Sequence, residues 1–402
     1  MGLPRLLIAA GVALAAGCTA RDVIAFRPPQ TNDAGVDAGP DLVTGCPGPV
    51  VLPGASRSCS TTLASSKFTA GVCSCRFGGM TSVGDLRVDG FDSAAGAYDP
   101  GATNPGGDVR SNSLVSLGGT TTITGSFVVF SPAGVGLTGA SPQLTVDEIL
   151  SVSSPLVDAS QDGVVIARSD AYVEGALRLL TLDVTGVLHR PSTSTTMVTN
   201  AIYRGGVVDE HVAPAFPCPC VDRDPFDLVG LIAAAATENE NASIGLVDAA
   251  FTNLGAAASL TLPCGRFHLT GVTGSAPLTI AVTGHAALFV DQDVDVAPLT
   301  IAIAPGASLD LFVGGSIALR GPAELGDPAH PTSLRVYVAG TSAIAFAPDA
   351  AFAGELFTLG DVTLPASYEL FGSVLGDDVL LGGDVDVHED LAVGSLPGCL
   401  VP

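Results

Sequence analysis

Nine cysteines, several tight groups of acids and one dense trio of titratable side chains are the residues of this 402-residue sequence that could do chemistry. Eight cysteines follow Cys18: Cys46, Cys59, Cys73, Cys75, Cys218, Cys220, Cys264 and Cys399. An even number in an exported chain predicts disulfides, although eight thiols allow on the order of a hundred pairings and spacing does not choose among them. A Cys-x-Cys pair is too cramped to close on itself, so Cys73, Cys75, Cys218 and Cys220 are each expected to reach elsewhere. The first four would staple the start of the fold, and the last four lie around a helix and the C-terminus. Zinc is the competing use, but the Cys-x-x-Cys spacing of common zinc sites is absent.

Asp291, Asp293 and Asp295 alternate, and in a strand alternate residues share a face, so three carboxylates would stand together as a weak calcium candidate. They lack the glycine and terminal glutamate of an EF-hand loop, and a solvated acidic face is the simpler reading. Other acids gather at Asp377 and Asp378 and at Asp384, Asp386, His388, Glu389 and Asp390. The last three are the densest mixture of titratable types, yet strand neighbours point to opposite faces, so a structural role is expected. Nucleophile-elbow, P-loop, His-Glu-x-x-His and Gly-x-Gly-x-x-Gly motifs are missing. No catalytic residue, resident metal or cofactor is predicted. With 40 Asp+Glu in the chain, some pair always lies at glycosidase spacing, so acids alone specify no hydrolase.

The elements that must position these residues follow from composition. Only 16 Lys+Arg oppose those acids, and a formal charge of −24 excludes nucleic acid as a partner, because phosphate binding needs basic patches. Lys67 is the one lysine. Charged residues make up 14% and hydrophobic ones 47%, with a mean hydropathy of +0.49, so the chain can bury a core. With 49 Gly, 28 Pro and no Trp, that core is expected to consist of short strands. From about residue 83, aliphatic runs of strand length alternate with Gly, Pro, Asp or Ser; Leu278 to Val282, Leu299 to Ile303, Leu309 to Val313 and Leu334 to Val338 are examples. The uncharged stretch Phe267 to Val290 is long enough for a membrane helix, but its glycines, Pro277, His268 and His285 predict buried strands.

Two alignments within the chain suggest a repeat. Phe352-Ala353-Gly354-Glu355-Leu356 matches Leu370-Phe371-Gly372-Ser373-Val374, and Leu288-Phe289-Val290 matches Leu311-Phe312-Val313. A period near 18 to 23 residues suits one coil of a β-solenoid, and ten to fifteen coils would make a rod on the order of 50 to 70 Å long. The expected fold is all-β, a right-handed parallel β-helix with one short inserted helix, stapled by disulfides. A β-sandwich is the alternative. A transmembrane barrel is disfavoured, since it needs longer strands and aromatic girdles. The helix is placed at Asp224 to Ala236, with Asp224 as N-cap, Pro225 at its first position and about three turns.

At the N-terminus, Arg5 precedes an apolar run from Leu6 to Ala16 that is too short to span a bilayer, which predicts a signal peptide over residues 1–17. Leu14-Ala15-Ala16-Gly17-Cys18 resembles a bacterial lipobox, and the resemblance implies lipidation of Cys18. Thr19 in place of Asp implies the outer membrane, at its periplasmic face or the cell surface. Residues 18–45, with Arg27-Pro28-Pro29 and the near-repeat Asp33 to Asp41, read as an acidic flexible tether. The remaining boundaries are a Cys-rich leading segment at 46–82, a first solenoid part at 83–216, a Cys-containing helical insertion at 217–265 and a second solenoid part at 266–402.

Val336-Tyr337-Val338-Ala339-Gly340, Tyr368-Glu369-Leu370-Phe371-Gly372-Ser373-Val374 and Val387-His388-Glu389-Asp390-Leu391 resemble segments of an uncharacterised right-handed β-helix domain found in bacterial surface lipoproteins and pilus-assembly-associated proteins. Asp89-Gly90-Phe91-Asp92-Ser93 through Tyr98 looks like the leading segment of the same proteins. The resemblance implies a solenoid continuous between these ends and no particular chemistry. The expected function is that of a non-enzymatic scaffold, adhesin or binding protein, anchored through its lipid and meeting surface polymers or other envelope proteins. A polysaccharide-active lyase or hydrolase is the alternative, since β-helices host both. The scarcity of Trp, Tyr and Lys argues against it.

Overall fold

The computed structural model describes residues 49–54, 59–76, 79–102, 104–158, 162–212, 216–220 and 226–397. The signal peptide, Cys18, the tether, Cys46 and Cys399 lie outside the described residues. The described chain winds into a β-solenoid of about 13 coils in which every strand pairing is parallel. At about 4.8 Å per coil the stack is roughly 60 Å long. The strands are short because Gly, Pro and Asp turn the chain after a few residues, and alternate aliphatics point inward and stack. One such ladder runs Leu260, Ile280, Ile301 and Leu325, each in register with the next and buried. The stretch Phe267 to Val290 forms strands, as its glycines required. Both internal alignments are pairings in space: Gly354 sits beside Gly372, and Leu288-Phe289-Val290 beside Leu311-Phe312-Val313.

Coil order does not follow chain order. From one end, one face of the stack runs Gly265–Leu269, His285–Val290, Ser308–Val313, Leu334–Val338, Ala351–Thr358 and Tyr368–Gly376. The next strand is Val72–Ser74, near the start of the chain, followed by Val109–Ser111, Phe127–Val129 and the rest up to Val207–Asp209. The first coil is thus laid on the last, and the ends of the stack are residues from mid-sequence. A second face repeats the junction, with Leu86–Phe91 paired to Val385–Asp390. The solenoid expected as continuous from about residue 83 is continuous in space but permuted in sequence. The segment after Asp209 reconnects one end to the other.

That reconnecting segment contains α2 (Leu228–Ala235), and a preceding helix of equal length, α1 (Ser60–Lys67), lies near the start of the chain. Both pack on the outer surface of the first face, hereafter the strapped face. There a second core forms outside the solenoid, from Leu63, Phe68, Leu228, Leu231 and Ile232 against Phe289, Phe312, Tyr337 and Phe357. The aromatic rings stack in register, with centroids 4.7 Å apart for Phe289–Phe312 and 4.8 Å for Phe312–Tyr337. Lys67, the sole lysine, is buried with its ammonium over the rings of Phe226 and Phe357.

Among the described residues two α-helices replace the one expected, and α2 is shorter. Its cap is Asp227, which accepts the Gly230 N–H at 2.8 Å, and not Asp224, which with Pro225 lies outside the described residues. Phe226 is committed to Tyr337 and Phe357, so the helix opens after it. It closes where Asn239 donates to the Ala235 and Ala236 carbonyls. α1 escaped the sequence reading because Ser-Thr-Thr-Leu-Ala-Ser-Ser-Lys has little helical periodicity; its packing, not its propensity, makes it helical.

Candidate functional site

The acids grouped near the C-terminus converge on the junction between the last and first coils. Asp378 accepts the Gly79 N–H at 2.8 Å, Asp384 the Asp85 N–H at 3.1 Å, Glu389 the Asp108 N–H at 2.7 Å and Asp390 the Ser93 N–H at 3.0 Å. Asp377 pairs with Arg76. These side chains reach across about 300 residues of sequence because the first coil is laid on the last, and they add charge-assisted bonds to the backbone pairing there.

His388 belongs to this junction and is its chemical centre. Its Nδ1 lies 2.6 Å from Asp89 Oδ1 and its Nε2 3.2 Å from Glu369 Oε1. Asp89 is fully buried and accepts two more bonds on Oδ2, from Arg87 at 2.7 Å and the Tyr98 hydroxyl at 2.9 Å. Tyr98 lies over the His388 imidazole with ring centroids 3.9 Å apart. Burial, and then its bond to Asp89, pushes the Tyr98 phenol up to about 12. Glu389 points away from this group, and burial followed by the Asp108 carboxylate lifts its carboxyl to about 8. The three side chains of the trio therefore serve separate partners.

Beside Asp89 the second face and the loop after Phe91 enclose a cavity of about 340 Å³, lined by Arg87, Asp89, Asn104, Thr124, Asp147 and Glu148 among others. Thr124 hydrogen-bonds the Asn104 carbonyl at 2.9 Å, tying the loop to the face. Arg87 and the three acids could grip a polar, hydroxyl-rich molecule. Asp89 is already saturated, however, and Asp147 pairs with Arg168 at 3.3 Å.

The other sequence candidates are dispersed. Asp291 meets His268 Nε2 at 2.9 Å, Asp293 accepts the Ser316 N–H at 2.7 Å, and Asp295 pairs with Arg320. Only Asp295 of the three lies in a strand, so the expected shared face does not form; Asp291 and Asp293 sit in the corner after His285–Val290. Asp293 exemplifies a repeated device: Asp85, Asp108 and Asp170 likewise accept the N–H of Thr120, Ser126 and Val187, in the adjacent coil, at 2.7 Å each. The two Cys-x-Cys pairs bridge each other, Cys73 to Cys218 and Cys75 to Cys220, joining the first coil to the strap. Cys59 and Cys264 are also disulfide-bonded.

Sequence reading missed Asp89, Glu369 and a buried strip beside the turn at Pro331–Ser333, in which Asp310, Arg335, Glu355 and Ser373 occupy one outward row. Arg335 makes a bidentate pair with Asp310, at 2.6 and 2.8 Å. Burial lifts the Glu355 carboxyl to about 8, against the bond it accepts from Ser373. The available signal was in the repeat itself: charged residues at positions equivalent to one another in successive coils.

Residues 228–396 match a family described as a domain of unknown function, DUF7305. The match runs from the first residue of α2 through the C-terminal coils to the turn after the junction strand. No curated protein matches. Among solved structures, an ice binding protein from an Antarctic bacterium Flavobacteriaceae aligns over 84% of this chain and 99% of that chain at 14% identity, with a TM-score of 0.14. So loose a superposition transfers neither fold nor function.

Proposed function

We propose that this chain is a lipid-anchored protein of the bacterial cell envelope, carried by Cys18 on the outer membrane, and that its solenoid is a non-enzymatic scaffold, adhesin or binding surface. The observation that carries this reading is how the titratable groups are used. The acids that looked most like catalytic candidates hold one coil to the next or close the junction, so their charge is committed to structure. The lipobox-like Cys18 and the resemblance to β-helix domains of surface lipoproteins support the anchor. Labelled fatty acid fed to cells should enter the protein and be lost in Cys18→Ala. Protease shaving of intact cells, read together with a deletion strain's adhesion, separates the two sides: a protein untouched by protease would remove the adhesin version.

The cavity beside Asp89 favours one second reading, a polysaccharide-active enzyme with Arg87 and the Asp147 and Glu148 carboxylates in its lining. Under that reading the protein releases reducing ends from an envelope polysaccharide, and Asp147→Asn abolishes the release. No release from any polymer offered would sink it.

A further inference from the structure

The two ends of the stack are finished differently. At the end that starts with Ala258–Leu262, Ile244, Leu246 and Leu254 pack on the core and Phe251 is buried, so the last inward row is covered. At the other end Thr196–Tyr203 pairs only with Leu177–Val184, and Val207–Asp209 only with Leu188–Arg190, among the described residues. Val207, in register with the buried core residue Leu188, is 47% exposed, and Met197, Ile202 and Val208 are between 41% and 54% exposed. Solenoids need a polar terminal cap, and sheet edges are normally blunted by Lys, Pro or a bulge. This edge has none of these.

Its longer strand, Thr-Met-Val-Thr-Asn-Ala-Ile-Tyr, carries no charge in a chain of −24, and the shorter one carries Asp209 alone. The longer strand is also complementary to itself. If two copies pair antiparallel about a twofold axis between Thr199 and Asn200, Met197 faces Ile202, Val198 faces Ala201 and Thr196 faces Tyr203. Head-to-tail growth is blocked because the opposite end is covered, so the contact closes on itself as an isologous dimer.

We propose that the open end, formed by Thr196–Tyr203 and Val207–Asp209, is a homodimer interface that joins two solenoids end to end through antiparallel strand pairing. This does not depend on the function proposed above. The test is sedimentation of the purified full chain beside the double variant Thr199→Lys, Ala201→Lys, whose sites are both exposed. The wild type should sediment as a dimer and the variant as a folded monomer, because four added ammonium groups then gather about the axis, opposite Val198 and Asn200 of the other copy, and none has an acid to meet. A monomeric wild type, as when another segment of the same chain covers the edge, overturns the proposal. So does a variant that stays dimeric, as would two chains sharing a micelle, and so does polymerisation beyond the dimer.

Discussion

Asp89 accepts three side-chain bonds while fully buried, and each donor comes from a different stretch: Arg87 from its own strand, Tyr98 from the following loop and His388 from the other end of the chain. Asp89→Asn should therefore cost about 3 kcal/mol, the scale of breaking a buried charged group's pairing, read as a lowered urea midpoint. Glu355 makes a second prediction. Its carboxyl titrates at about 8 in the folded chain and at about its ordinary 4.5 when unfolded. The folded state thus holds a proton that the unfolded state releases. That advantage is complete below about pH 4.5 and falls by up to ~1.4 kcal/mol per pH unit until about pH 8. Glu355→Gln should flatten the decline of melting temperature between pH 5 and 8; an identical slope in the variant would refute the assignment. At this scale the sequence was partly legible. The adjacency of His388, Glu389 and Asp390 predicted divergence, but Asp89, Asp108 and Ser93, which they meet, lie about 300 residues away, where no local pattern reaches.

The strapped face shows the same limit for elements. Its aromatic ladder was visible as Phe289 and Phe312 in aligned triplets, and the period they imply is the coil the chain forms. That those rings face outward, under helices, was not visible: alternation within a strand marks two faces without saying which is the interior. Phe312 stacks between Phe289 and Tyr337, so Phe312→Ala should remove two stacked contacts and leave a cavity under α2, at a cost of about 3 to 5 kcal/mol in denaturant unfolding. Gly372 carries a sharper constraint. Its φ is +109°, and an added Cβ would stand 2.0 Å from the Gly354 carbonyl oxygen. Its match with Gly354 in the internal alignment therefore marks a backbone crossing that only glycine allows.

For the whole molecule, the permuted stack governs cooperativity. Coils in a solenoid are coupled mainly to their neighbours. The coil containing Val72–Ser74 and Leu86–Phe91 depends on the coil at Tyr368–Gly376 and Val385–Asp390, although nearly the whole chain separates them. Truncation before Tyr368 should expose the amides of Leu86–Phe91 to hydrogen exchange while those of Ala171–Val173 and Leu177–Val184, several coils away, keep their protection. Equal loss throughout would show that the stack unfolds as one unit. Nothing in the sequence announces this order. Each coil's pattern is the same whichever neighbour it meets, so repeats reveal the stack without revealing where the chain enters it.

That point of entry has a mechanical consequence. The N-terminal side of the chain joins the rod at its waist, at a coil with six others on each side, and the bridges at Cys73 and Cys75 fasten that coil to the strap. A pull on the N-terminus is therefore delivered at the middle of the rod, so the two halves act as balanced arms about a central mount. The coils share the load on both sides, and neither free end has to bear tension.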